Sequence, residues 1–107
     1  MSKISLKSSH IYLESQLVNA IFGNIHFAYV TYIEEQKKIL ITPVSSQWFV
    51  KMFKPTQFLL KSRNLKGDRT LAVREIFIDN NLDTTDRELQ YEVIEKTKLI
   101  KVSVYKG

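Results

Sequence analysis

The chain has 107 residues, no cysteine and a net charge of +5, with 44% hydrophobic and 25% charged residues. These figures exclude disulfide staples, thiolate metal sites and thiol nucleophiles, and they place the chain among ordinary globular domains, not disordered ones. Apolar runs such as Gln16 to Phe22 and Ile39 to Val44 are too short to span a bilayer, and no basic-then-apolar leader follows Met1, so a cytoplasmic protein without a membrane span is expected.

Lys3 to Leu13 reads as one or two short strands, with Ile4, Leu6 and then Ile11, Leu13 on alternating positions around Lys7-Ser8-Ser9. Ser15 is placed to cap a short helix carrying Leu17, Val18, Ile21 and Phe22 on one face, with Gly23 as its left-handed stop. His26 to Glu34 and Lys38 to Val44 form a β-hairpin around Glu35-Gln36-Lys37. Phe27, Tyr29, Thr31 and Ile33 share one face while Ala28, Val30 and Tyr32 share the other, which predicts a central hairpin or one at a subunit contact.

Ser45 or Ser46 opens a second helix that Lys54 and Pro55 close, with Phe49 and Phe53 four residues apart and Trp48 expected as a structural anchor. Its aromatic and lysine content also suits weak adhesion at a membrane surface, although core packing is the simpler reading. Thr56 to Ser62 reads as a strand, and Asn64 to Asp68 as a turn in which Gly67 is free to take positive φ. RTLAVREIFID, from residue 69, fits a strand by its alternation of Leu71, Val73, Glu75 and Phe77, or a helix capped by Asp68; the strand is preferred for its β-branched content. After the polar loop Asp79 to Arg87, Leu89-Tyr91-Val93 and Ile100-Val102-Val104 make a closing hairpin around Lys96-Thr97-Lys98. The expected architecture is α+β, a single domain over 1–107 of small, mostly antiparallel β-hairpins with two short helices.

Laid end to end, residues Ile11 to Phe53 resemble the AbrB and MraZ families: an extended segment, a short helix ending in glycine, a hairpin, then a proline and a tryptophan-bearing helix. The residues that carry the likeness are Leu13, Leu17, Ile21, Gly23, Ile39 to Ile41, Pro43 and Trp48. Glu14 stands where the families usually have proline, and Ser8, Ser9 and His10 replace the glycine and arginine expected upstream, where the resemblance places DNA contacts. It implies a swapped-hairpin (AbrB-like) barrel, a DNA-binding transcription regulator and a homodimer. A faint internal echo adds to it: Tyr12-Leu13-Glu14 with Leu17 returns as Phe77-Ile78-Asp79 with Leu82, and Tyr29 and Ile39 as Tyr91 and Leu99. Two hairpin units, about 4–54 and 56–105, would follow.

Charge is unevenly spread. Seven cations (Lys51, Lys54, Lys61, Arg63, Lys66, Arg69, Arg74) face one anion, Asp68, between residues 51 and 74, a net of +6. Glu75, Asp79, Asp83, Asp86, Glu88, Glu92 and Glu95 face Arg87 alone in the next block, a net of −6. Three readings stay open. In one, Lys61, Arg63, Lys66, Arg69 and Arg74 track nucleic-acid phosphates while Asn64 reads a base edge. In another, the protein is an accessory or assembly module whose basic or acidic segment docks a protein of opposite charge. In the third, the two blocks pair with each other or across a homodimer.

An enzyme is not expected. His10 and His26 are the sole histidines, none of the common hydrolase or phosphate-loop motifs occurs, and the glycines are Gly23, Gly67 and Gly107. Asp83 and Asp86 read as solvated turn carboxylates before they read as an acid/base pair. Asp79, Asn81 and Asp83 match the start of a calcium loop, but Thr84 and Gln90 stand where glycine and glutamate are needed, so no metal and no cofactor are expected.

Overall fold

The computed structural model describes residues 3–104; residue 105, the expected end of the second hairpin unit, lies outside them. The elements are β1 (Ile4–Lys7), β2 (His10–Leu13), α1 (Ser15–Ile21), β3 (Phe27–Ile33), β4 (Lys38–Pro43), α2 (Gln47–Phe53), β5 (Thr56–Leu59), β6 (Lys61–Ser62), β7 (Arg69–Ala72), α3 (Arg74–Asp79), β8 (Arg87–Leu89), β9 (Tyr91–Ile94) and β10 (Leu99–Ser103). The domain is α+β, with its ten strands in two antiparallel sheets, ordered β6-β7-β2-β1-β8 (sheet A) and β5-β3-β4-β10-β9 (sheet B).

The sheets share their corners. β5 runs into β6 through buried Leu60, whose N–H donates to the His26 carbonyl at 2.7 Å, and β8 runs into β9 through Gln90, whose carbonyl accepts from Ser103 N–H at 2.8 Å. The strands thus form a flattened ring, and each unpaired strand edge at a corner is only two to four residues long.

Register makes the two halves of the chain equivalent. β2 pairs with β7 (Ile11 opposite Leu71) and β4 with β10 (Ile41 opposite Ile100), while β1 lies against β8 as β5 lies against β3. Within the hairpins, Ile33 opposite Lys38 corresponds to Ile94 opposite Leu99. Tyr29 therefore corresponds to Gln90 and Ile39 to Ile100, each one residue away from the pairing suggested by the sequence echo. The other echoed pair fails outright: Tyr12 and Leu13 are on a strand, whereas Phe77 and Ile78 are on a helix.

Between the sheets lies one large core. Ile4, Leu6, Ile11, Leu13 and Leu71 come from sheet A, and Ala28, Val30, Ile39, Ile41, Ile100 and Val102 from sheet B; α1 adds Leu17, Val18 and Ile21, and α3 adds Phe77. The alternation that predicted β1 and β2 is this burial pattern. The apolar second face of the β3–β4 hairpin is covered by α2, where Phe49 is fully buried against Leu40, Leu99, Tyr29 and Ile33. Trp48 is not the anchor expected of it. It stays 36% exposed and meets Phe49 edge-on at 5.4 Å between centroids.

Residues 69–79 split between the two predicted states. β7 ends at Ala72, and buried Val73 turns the chain into α3, where Val73 and Phe77 point inward four residues apart. Leu71 and Val73 satisfy a period of two, Val73 and Phe77 a helical period, and so the run pleased both templates. Ser15 is likewise not a cap: it is the first helical residue of α1, after Glu14, and no side chain at the cap position bonds the helix. Among the described residues no helix is long and apolar enough to cross a membrane.

Candidate nucleic-acid interface

The basic turn between β6 and β7 is an ordered structure built on Asn64 and Asp68. Arg63 N–H donates to the Asp68 carbonyl at 2.9 Å. Asn64 Oδ1 accepts from the N–H groups of Lys66 (3.0 Å) and Asp68 (3.3 Å), and its Nδ2 donates to Asp68 Oδ2 at 2.9 Å. Gly67 supplies the one left-handed step, at φ +100°. Asp68 Oδ1 then accepts from Ser15 N–H at 2.8 Å, so the turn caps α1 from another part of the chain. Asn64's side-chain amide first, then the Ser15 N–H and, least, the nearby Lys66 charge hold the Asp68 carboxyl below its usual 3.8, against an upward push from desolvation.

Each predicted contact residue can now be placed. Lys61, Arg63 and Lys66 are exposed on or beside the turn and have no carboxylate within ion-pair distance among the described residues. Asn64 is committed to the turn, which takes away the base-reading role expected of it. Arg69 is half-buried and reaches the Leu60 carbonyl through its guanidinium at 3.4 Å, a link that fastens the strand corner. Arg74 opens α3 at the far end of β7, on the order of 15 Å along the strand from Arg69 at an ordinary rise per residue. The structure thus groups exposed Lys61, Arg63 and Lys66 on or beside the turn, and sets them apart from Arg74 and from Asn64 and Arg69, whose side chains bond the backbone.

Two residues not singled out from the sequence join them. The Arg63 guanidinium lies 5.2 Å from the centre of the Tyr12 ring, and Lys7 Nζ lies 5.6 Å from it. Tyr12 sits on the outer face of sheet A with Ser5, Lys7, His10 and Lys61, on the side opposite buried Ile4, Leu6, Ile11 and Leu13. A shallow depression of about 350 Å³ runs over this face, bordered by Lys3, Lys7 and Tyr12 and, on its acidic rim, by Glu14, Asp68 and Glu88. Strand alternation already marked Lys7 and Tyr12 as outward-facing; the missing information was that β2 lies next to β7 and so brings them to the turn.

The acidic block has its own structural duties. Arg87 donates to the carbonyls of Asp83, Thr85 and Val104, each at 2.9 Å. Asp83 Oδ1 accepts from Thr85 N–H and Oγ1–H, and Asp86 Oδ1 accepts from Ser8 N–H at 2.9 Å. The ion pair found among the described residues joins Lys3 to Glu88 at 3.7 Å, both well exposed, and none links residues 51–74 to the acidic block. Exposed pairs of that kind contribute little.

No protein-family model, no curated protein and no solved structure matches this chain.

Proposed function

We propose that the protein binds nucleic acid through the β6–β7 turn and the adjoining outer face of sheet A, as a non-enzymatic regulator of the AbrB/MraZ kind. The observation that carries this reading is a cluster of cations, Lys7, Lys61, Arg63 and Lys66, on a pre-ordered turn and around one aromatic ring, without carboxylate partners among the described residues. Cations without an ion-paired carboxylate keep their charge for phosphates, and a pre-ordered turn loses little entropy on docking. The equivalence of the two halves in register supports the swapped-hairpin part of the resemblance, with both hairpin units in one chain.

The test is fluorescence anisotropy with duplex DNA over a salt series. Changing Lys61, Arg63 and Lys66 together to glutamine removes up to three phosphate contacts and should flatten the slope of log K against log salt by roughly 2.7. Lys96→Gln is the control. Lys98 is unsuitable, because its Nζ holds the Ala20 carbonyl at 3.0 Å at the end of α1. Wild-type protein that does not bind at low ionic strength, or a control that loses as much as the triple variant, would reject the reading.

A second reading rests on α2 and its surroundings, where Met52 (68% exposed), Trp48, Val50, Phe27 and Leu59 leave apolar surface in water. A homodimer or an assembly partner would dock there. Sedimentation of wild type beside Met52→Lys tests it: an oligomer that the variant dissolves supports the surface, and a 12.5 kDa species throughout removes self-association.

A further inference from the structure

We infer that Leu65, at the tip of the β6–β7 turn, is a wedge that enters the minor groove of duplex DNA and unstacks a base step; the inference rests on the nucleic-acid reading above. Leu65 is fully exposed, so the folded protein gains no burial from it. Any polar turn residue would serve the fold at least as well. Its neighbours are Asn64 and Lys66, with Arg63 and Lys61 just behind, so the apolar tip stands among cations. The backbone on either side is fixed by the Asn64 and Asp68 hydrogen bonds and tied to α1 through Ser15 N–H. An apolar side chain projecting from a hydrogen-bonded turn among phosphate-seeking cations has the composition of a minor-groove wedge, in which Leu, Phe or Met parts a base step while Arg and Lys hold the flanking backbone.

The geometry also points to the kind of DNA. A minor groove about 6 Å wide admits a single turn tip but not the strands behind it. Pyrimidine–purine steps such as TA unstack most readily, so the preferred target is a duplex containing such a step, bent away from the inserted side chain. Arg63 and Lys66 flank the tip in sequence, and both are exposed, with the Arg63 guanidinium 5.2 Å from the centre of the Tyr12 ring.

The experiment uses the full chain and duplexes of about 25 base pairs with a central TA step or a central A-tract. Anisotropy gives affinity, end-to-end energy transfer gives bending, and 2-aminopurine beside the step reports unstacking. Leu65→Asn should melt at the wild-type temperature and keep the wild-type salt slope. It should nevertheless bind the TA duplex roughly tenfold more weakly or worse, with bending and the 2-aminopurine signal lost, the binding equivalent of one unburied leucine. Leu65→Phe should restore both signals. If Leu65→Asn binds and bends DNA like wild type while the triple glutamine variant flattens the salt slope, the wedge is wrong and the nucleic-acid reading stands. Equal loss on single-stranded DNA, without bending of duplex by wild type, makes Leu65 a stacking contact and overturns the wedge. Wild type that binds no DNA at low salt removes both ideas.

Discussion

Asp68→Ala is the most informative single perturbation, because one carboxylate fastens both the basic turn and the start of α1. The substitution leaves Ser15 N–H without its acceptor and frees Asn64 Nδ2. Losing a helix cap costs about 1 kcal/mol and losing the turn hydrogen bond about as much again, so destabilisation of about 2 kcal/mol is expected. For a domain of this size that is a fall of roughly 10 °C in melting temperature. Asp68→Asn keeps the shape and one acceptor but never ionises, and should lose about half as much.

The sign of the pH effect follows from the direction of the shift. The folded-state pKa of Asp68 is lowered from 3.8, first by Asn64 and then by the Ser15 N–H. The stability it contributes is therefore fully present above 3.8 and is lost as the pH falls through the lower folded value. Melting wild type and Asp68→Asn side by side from pH 7 into strong acid cancels every other titrating group that the two share. A gap at pH 7 that closes in acid is the expected result. Equal melting temperatures at pH 7, or a gap that acid leaves intact, would show that the carboxylate does not hold the two elements together.

Phe77→Ala should cost about 3 to 5 kcal/mol, measured by urea unfolding, because the ring is fully buried and no neighbour is free to fill its place. Ser8 and Ser9 both take positive φ in the tight β1–β2 connection, so Ser8→Asn with Ser9→Gly should stabilise by about 1 kcal/mol, seen as a higher urea midpoint. Thr42 Oγ1 donates to the Lys98 carbonyl at 2.9 Å from a fully buried position; Thr42→Val should therefore lose about 1 to 2 kcal/mol despite its similar size. Gly67→Ala should cost about 1 kcal/mol through strain at φ +100° and weaken DNA binding by disordering the turn.

Much of this fold was legible before any coordinates. The alternation of Ile4, Leu6, Ile11 and Leu13, the stripe Leu17-Val18-Ile21-Phe22 and the stop at Gly23 all report local geometry, and each is found where its period put it. α3 was missed because Val73 belongs to two periods at once. The capping of α1 was misassigned to Ser15 because its real acceptor, Asp68, is 53 residues away in sequence. The surroundings of the basic turn were hidden for the same reason. Charge picked out Lys61, Arg63 and Lys66, but only the register of β2 against β7 shows that Tyr12 and Lys7 join them. Asn64 and Arg69, equally polar on paper, are occupied by the backbone around them.

The β1–β2 and β6–β7 connections occupy equivalent corners of the ring, yet they differ greatly. One is the two-residue turn Ser8-Ser9, and the other is the long basic loop of residues 63–68. In an assembly of two identical chains, any change at one corner would appear at both. Because one chain supplies both corners here, the first can stay short and neutral, with Ser8 bonded to Asp86, while the second lengthens and gathers charge. The two ends of this internal repeat are therefore free to diverge in length and charge, as two copies of one chain could not.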